Sequence, residues 1–440
     1  MVTHIPEDSL ESSLVRARAL QASRQLTKAE AAYERILVEW PNETEAMSRL
    51  ASYAQSRGDG ARAVELLSQA SQRFPTNAQI ALDLALAYLS VQQPDSARAT
   101  LESILATEPA CFTAWLLLGE LREVQGDKLG ALKAWYQAVT RAQVAGNWHD
   151  QDSTPPHLLD AVVHAIKTVR AGRRDLFFGA FDDLRIRFGS EPLKRVDRAI
   201  SAYLGESSAV PPDVRQRPRF FYFPDLPSEP YIDVGLQPWT PLLREGFADI
   251  RAEALRVFAE DNRFEHFVEL KAGGQMSDFV SGTGPASAWE ALFFWRHGLR
   301  TESTHQRCPR TSEILESIEL CRIDGEAPEI CFSVLKPGTT ILPHHGVSNT
   351  RAVMHLPLLV PPNCALNLIG VGEHVWQEGQ PMMFDDTFQH EAWNHSPQTR
   401  IILLMDCWNP HLEPVEKLAI KQLIETIGGL HRAGQAAKNR

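Results

Sequence analysis

A period of 34 residues runs through the first third of the chain and limits what that part can fold into. Pro41, Pro75 and Pro109 are spaced by this period, twice over. Generic amphipathic helices would not keep several positions in register, so the pattern predicts stacked copies of one structural unit. The same period relates two series of small residues and one of large apolar residues: Ala17, Ala51, Ala85 and Gly119; Ala29, Ala63, Ala97 and Ala131; Tyr33, Leu67, Leu101 and Trp135.

Each copy has the features of two antiparallel helices. Small residues let the helices approach closely, the large residue fills the gap between copies, and proline ends the second helix because it cannot continue it. The pattern resembles the tetratricopeptide repeat, with about three and a half copies over residues 10–143. A helical stretch at 157–205 would cap the array. The resemblance implies an all-α solenoid over residues 10–205 that presents a concave surface to a protein or peptide partner.

The composition changes after residue 205. Residues 206–217 are predicted to be a linker, and residues 218–430 a second domain. Short apolar runs there alternate with Gly and Pro turns, as in EICFSVLKP, AVMHLPLLVP and RIILLMDCWNP, and helical patterns stand at both ends. Many short strands flanked by helices suggest a jelly-roll, or double-stranded β-helix, barrel. The expected fold class is therefore multi-domain α + β.

Composition argues against several classes of function. The net charge is -11 without a long Lys/Arg run, which argues against nucleic-acid binding. No stretch approaches the roughly 18 apolar residues of a membrane helix, and the N-terminal residues lack the layout of a secretory signal. The six cysteines form no CxxC pair. They indicate reduced thiols in a cytoplasmic protein, with a Cys308–Cys321 disulfide as the alternative.

Two histidines and an arginine in the second domain form a candidate metal site. His344 follows the strand pattern TTILP, and His390 lies 46 residues later beside another strand pattern. Neutral imidazole suits iron, and two strand ends can meet at the mouth of a barrel. Arg400 stands in the apolar run RIILLMD, where a buried guanidinium needs an anionic partner. The distal carboxylate of 2-oxoglutarate would suit it, and pairing with Asp385 or Glu391 is the alternative.

Longer motifs surround these residues over roughly positions 218–415. They include FYFPDLPSEPYID, AWEALFFWRHGLR, FSVLKPGTTILPHHG, NTRAVMHLPL, WQEGQPMMFDDTFQHEAWN and RIILLMDCWNP. Together they resemble the aspartyl/asparaginyl β-hydroxylase family of iron- and 2-oxoglutarate-dependent oxygenases. In that family two histidines hold the iron, and a glycine stands where related oxygenases place a carboxylate. Gly346, two residues after His344, fits this pattern.

The resemblance implies a role for seven side chains. His344 and His390 would hold Fe(II), and Asp386 would hydrogen-bond a water in the place of the missing ligand.

The resemblance assigns the other four side chains to the cosubstrate and the substrate. Ser333 and Arg400 would bind the distal carboxylate of the cosubstrate 2-oxoglutarate, and His355 would bind its metal-side carboxylate. Arg351 would bind substrate.

One departure from the family concerns the substrate. Members that act on growth-factor-like domains are expected to use two arginines before His355, and here Val353 stands in the second position after Arg351. The implied function is hydroxylation of a C–H bond, at the β-carbon of an Asp, Asn or related residue in a protein or peptide that the repeats recruit. The alternatives are an oxygenase for a small molecule or lipid, and a repeat scaffold with an idle barrel. Retention of the whole residue set argues against the scaffold.

Overall fold

Paired antiparallel helices build the N-terminal part of the chain. The computed structural model describes residues 9–260, 264–269, 275–282 and 288–432. Successive helices there are joined by short turns, and each 34-residue period corresponds to one helix pair, as predicted. The first eight helices are α1 Leu10–Ala22, α2 Leu26–Glu39, α3 Thr44–Ser56, α4 Gly60–Arg73, α5 Ala78–Ser90, α6 Pro94–Thr107, α7 Phe112–Val124 and α8 Lys128–Val144.

The periodic small residues lie at the contacts between these helices. Ala29, Ala63 and Ala97 are fully buried. At Gly119 on α7, an added Cβ atom would lie only 2.3 Å from Cδ1 of Trp135 on α8. Because the large ring fills the space that the missing side chain leaves, α7 and α8 pack closely. The small and large positions of the period are thus complementary.

Three further helices follow: α9 Leu159–Phe178, α10 Asp182–Phe188 and α11 Lys194–Tyr203. The described residues form two compact units that divide between Arg173 and Arg174, with the chain from Gly429 onwards in the first unit. The domain limits predicted from composition, 10–205 and 218–430 with a linker between them, stay a prediction. Within the second range, residues 261–263, 270–274 and 283–287 lie outside the described residues.

Two antiparallel sheets form the centre of the second unit. The larger has the strand order β1-β11-β8-β13-β6-β4-β2, with β5 beside β4, and the smaller has the order β10-β9-β12-β7-β3. The strands are β1 Tyr231–Ile232, β2 Glu265–His266, β3 Val280–Gly282, β4 Trp289–Arg296, β5 Leu299–Arg300, β6 Ile330–Leu335, β7 Thr339–His344, β8 Arg351–Leu359, β9 Cys364–Leu368, β10 Gly372–His374, β11 Met382–Phe384, β12 His390–Asn394 and β13 Arg400–Trp408.

Helices flank this pair of sheets. They are α12 Thr240–Glu245, α13 Phe247–Glu260, α14 Glu302–Arg307, α15 Pro309–Ser317 and α16 Pro414–Arg432. Short antiparallel strands in two sheets, flanked by helices, confirm the predicted jelly-roll class. None of the described helices has the length and apolar character needed to cross a membrane. Cys308 and Cys321 are both buried as free thiols, so the alternative of a disulfide between them is not realised.

Side chains alternate between the two faces of the larger sheet along its central strands. One set packs in a core against the helices, and the other set faces the smaller sheet. On β13 the odd-numbered residues from Ile401 to Cys407 join the core that contains Leu243 of α12 and Val257 of α13. The even-numbered residues, Arg400 to Asp406, point to the other side because successive side chains of a strand alternate. β8 and β6 follow the same rule. This register places Arg351 of β8, and Arg400 and Asp406 of β13, on the inner face.

Candidate active site

A cavity of about 230 Å³ is enclosed by residues of both sheets in the second unit. All seven residues singled out from the sequence line it: Ser333, His344, Arg351, His355, Asp386, His390 and Arg400. Most of the remaining wall is apolar or aromatic, with Trp289, Val353, Trp376 and Phe384 among its residues. The structure therefore brings together every residue of the predicted site, from segments that are far apart in the chain.

His344 and His390 form a direct cross-strand pair. His344 is the last residue of β7, His390 is the first of β12, and the two positions are register partners in the smaller sheet. Their ring centroids are 4.1 Å apart. Nδ1 of His344 lies 2.8 Å from the carbonyl oxygen of Leu342, and Nδ1 of His390 lies 2.9 Å from that of Phe388. A carbonyl only accepts, so each Nδ1 donates its hydrogen and each Nε2 keeps a lone pair for a ligand.

Burial keeps both imidazoles neutral. Burial, followed by the proximity of His344, lowers the pKa of His390 to about 3. Burial also lowers the pKa of His344. A histidine must be neutral to bind a metal, so this pair is in the protonation state that a cation requires. Within the described ranges, no group of three or more His, Cys, Asp or Glu side chains is placed to hold a metal.

The carboxylate of Asp386 occupies the space where a side chain at Gly346 would begin. A Cβ atom added to Gly346 would lie 2.0 Å from Cγ of Asp386 and 2.1 Å from each carboxylate oxygen. The backbone N–H of Gly346 also donates to the carbonyl oxygen of Asp386 over 2.6 Å. Burial raises the pKa of Asp386 to about 7, and the nearby Arg351 opposes that rise. The glycine thus leaves room for the carboxylate of an acid from another loop.

Replacing Gly346 by alanine is expected to destabilise the protein by about 1–3 kcal/mol, because the new methyl group overlaps the Asp386 carboxylate. Asp386→Ala removes the obstacle, so the double variant should lose less stability than the two single variants together. Urea unfolding of the wild type, both single variants and the double variant measures this coupling. Strictly additive free energies of unfolding would show that the two residues do not compete for this space.

Arg400 lies at the other side of the cavity, and only 1% of it is exposed. Its Nη1 is 3.4 Å from both the carbonyl and the hydroxyl oxygen of Ser333, and its guanidinium stacks over Trp376 at 5.0 Å from the ring centroid. Among the residues that the structure describes, no carboxylate pairs with it. Asp385 binds Gln216 and Thr387, and Glu391 binds Asn367. The alternative partners considered for Arg400 are therefore occupied elsewhere.

The surroundings of Arg400 suit a carboxylate ligand. Burial lowers the pKa of Arg400 to about 10, so the group still carries its charge at neutral pH. The hydroxyl of Ser333 accepts a hydrogen bond from Nε1 of Trp289 over 3.0 Å and can donate its own hydrogen. Burial, and then the charges of Arg400 and His390, hold the pKa of His355 well below its usual range. A cation, a hydroxyl and a neutral imidazole thus meet in one cavity whose wall is mostly apolar.

Five buried polar atoms in the cavity wall have no hydrogen-bond partner in the described part of the chain: Oδ1 of Asp386, Nδ1 of His355, Nε of Arg400, Nε of Arg351 and Nε1 of Trp376. Buried polar atoms are rarely left without partners. A metal with its water beside Asp386, and an anion that reaches His355 and Arg400, would supply partners for the first three. The donor set therefore fits both Fe(II) and 2-oxoglutarate.

Sequence reasoning missed Asp406. Its Oδ2 accepts from Nη1 of Arg351 over 2.6 Å and from the backbone N–H of Glu329 over 2.9 Å. The signal was present, since an acid in the apolar run RIILLMD needs a partner as much as Arg400 does. Arg351, which was predicted to bind substrate, lies in the cavity wall, but its guanidinium is already paired with Asp406 and lies 3.9 Å from Asp386.

Comparison with known proteins agrees with this geometry. Residues 244–410 match the family model for aspartyl/asparaginyl β-hydroxylase, and residues 14–78 and 54–121 match two models of the tetratricopeptide repeat. The chain is 30% identical to aspartate β-hydroxylase domain-containing protein 2 of Xenopus tropicalis over 212 residues, which are 47% of this chain and 55% of the relative.

Two other relatives extend the comparison. Human aspartyl/asparaginyl β-hydroxylase is 24% identical over 361 residues, 80% of this chain and 41% of the relative. The ornithine lipid ester-linked acyl 2-hydroxylase of Rhizobium tropici is 31% identical over 192 residues, 43% of this chain and 64% of the relative. The chain spans about half the length of the curated relatives it matches. Residues 244–410 thus match an aspartyl/asparaginyl β-hydroxylase domain, and residues that match tetratricopeptide repeats precede them.

Proposed function

We propose that the second unit hydroxylates a C–H bond with Fe(II), 2-oxoglutarate and O2. One observation carries the proposal: a single cavity joins two neutral imidazoles of fixed tautomer to a buried guanidinium that has no carboxylate partner among the described residues. A divalent metal suits the imidazoles, and one end of a dicarboxylate suits the guanidinium. The family match of residues 244–410 supports the same reading.

The chain's own residues would bind, orient and shield the reactants. His344 and His390 would hold the iron, and Asp386 would hydrogen-bond a water beside Gly346. Once bound, iron with 2-oxoglutarate and O2 supplies the oxidation, in which 2-oxoglutarate becomes succinate and CO2 and one oxygen atom enters the substrate.

Three further residues would bind 2-oxoglutarate. Arg400 and Ser333 would grip its distal carboxylate in two places, which fixes its direction, and His355 would hydrogen-bond its other carboxylate. The apolar and aromatic wall around them would keep water away from the reacting atoms. Orientation and exclusion of water are therefore the protein's contribution.

The substrate would be a protein or peptide that the repeats recruit, with the β-carbon of an Asp, Asn or related residue as the target. Tetratricopeptide repeats are stacked helical modules with an extended binding surface, which supports a macromolecular substrate. We further place the protein in the cytoplasm, because all six cysteines are free thiols and five of them are buried.

The test is succinate release by the purified full-length chain. Fe(II), 2-oxoglutarate and ascorbate are added with a peptide library, and succinate is measured together with a mass gain of one oxygen atom in a peptide. The proposal expects both products, and both should disappear in His344→Ala. If the protein binds neither metal nor 2-oxoglutarate, the proposal is wrong.

A further inference from the structure

The charged side chains that line the cavity largely neutralise one another. The cations are Arg351 and Arg400, and the acids are Glu329, Asp386 and Asp406. Arg351 stands between two of the acids: its Nη1 is 2.6 Å from Oδ2 of Asp406, and its Nη2 is 3.9 Å from Oδ2 of Asp386. A substrate carboxylate would have to share this guanidinium with Asp406, which lies 2.6 Å from it, although Nε of Arg351 has no hydrogen-bond partner among the described residues. The repulsion between two carboxylates around one cation disfavours that arrangement.

The second cation is used by the cosubstrate. In the proposed function, Arg400 binds the distal carboxylate of 2-oxoglutarate, and the inference rests on that assignment. With Arg351 held by Asp406 and Arg400 held by 2-oxoglutarate, the described lining offers no further Lys or Arg to a substrate. Burying a carboxylate without a cationic partner is costly. Charge therefore disfavours an acidic substrate group.

The wall between Arg351 and His355 is apolar. Arg351, Val353 and His355 share one face of β8 because they are two residues apart. Val353 is only 7% exposed, and its register partner on β11 is Phe384, which also lines the cavity. At the point where a substrate side chain would lie along β8, the cavity offers aliphatic and aromatic surface.

We propose that the target is narrower than the Asp, Asn or related residue of the proposed function: the polypeptide substrate presents an uncharged residue to this cavity, and aspartate is excluded by the charges already in place. A polypeptide is favoured because the repeats supply a surface for one. The same apolar wall would also accommodate an acyl chain, so the experiment includes one as a separate arm.

The test uses the full-length protein with Fe(II), 2-oxoglutarate and ascorbate. Three peptide libraries share their randomised flanks and differ only in a central Asp, Asn or Leu, and octanamide serves as the neutral acyl probe. We expect an uncharged central residue to be hydroxylated at least about tenfold faster than Asp, which corresponds to about 1.4 kcal/mol. Equal or faster reaction of the Asp library overturns the inference and leaves the proposed function intact.

Two other outcomes are also decisive. Hydroxylation of octanamide alone overturns the choice of a polypeptide. Loss of Mn(II)-dependent 2-oxoglutarate binding would instead defeat the proposed function on which the inference rests. The two failures are therefore distinguishable by a binding measurement that needs no substrate.

Two variants test the charge argument directly. Val353→Arg adds a cation to the apolar wall, and Asp406→Asn releases Arg351 from its closest acid. Each should lower the ratio of Asn to Asp hydroxylation by at least about tenfold. Asp406→Asn keeps the shape of the side chain and serves if Val353→Arg does not fold, while Val210→Arg, at a position that is 72% exposed, is the matched control. An unchanged ratio in folded Asp406→Asn protein contradicts the proposal.

Discussion

His390→Ala is expected to reduce the affinity for Mn(II), an inert stand-in for Fe(II), by at least about 100-fold and to abolish succinate formation. The reason is the small number of ligands. The chain contributes two imidazoles at this site, and a single remaining His344 cannot hold the metal in a defined orientation. Isothermal titration of Mn(II) into the variant measures the affinity, and His344→Ala should behave in the same way.

The matched control for this prediction is His395→Ala. His395 is exposed, follows the end of the same strand β12, and contacts Thr340 and Trp393 rather than the cavity. Its removal should leave Mn(II) affinity and succinate formation near the wild-type level. Retention of Mn(II) binding in His390→Ala, with loss in His395→Ala, would place the metal somewhere else.

Arg400→Met should have opposite effects on binding and on stability. Removing one partner of a buried charge pair costs about 2–5 kcal/mol, so 2-oxoglutarate affinity should fall by at least about 30-fold. Without ligand, the same change removes a buried cation that has no carboxylate partner among the described residues. The melting temperature should therefore be unchanged or higher. Calorimetric titration and thermal unfolding of the ligand-free protein measure the two effects.

Arg400→Lys separates charge from geometry. Lysine keeps the positive charge but cannot form two parallel hydrogen bonds, so it should restore only part of the affinity. If Arg400→Met binds 2-oxoglutarate as tightly as the wild type, the distal carboxylate lies elsewhere. If it instead unfolds at a clearly lower temperature, Arg400 has a structural role that the observed contacts do not explain.

The parts of the structure that depend on local pattern could be predicted from the sequence. The spacing of Pro41, Pro75 and Pro109 is repeated within one short segment, and each period became a helix pair. The apolar run around Arg400 became a central strand for the same reason. His344 and His390 were recognised by motifs that carry their neighbours with them.

The rest depends on register between strands that are distant in the chain. Nothing local shows that His344 and His390 are direct cross-strand partners, or that Asp386 fills the space beside Gly346. These contacts arise only when β7 and β12 pair. The ion pair between Arg351 and Asp406 belongs to the same class, since it joins residues 55 positions apart. Sequence therefore identified seven residues of the site but not Asp406 or its ion pair with Arg351.

The most direct test of a metal and 2-oxoglutarate site in this cavity is a calorimetric titration of 2-oxoglutarate into the full-length protein. The titration is run with and without Mn(II). The structure predicts one molecule of 2-oxoglutarate per chain when Mn(II) is present, and much weaker binding when it is omitted. No heat in the presence of Mn(II), or equal binding without it, would contradict the assignment of His344, His390 and Arg400 to one ligand site.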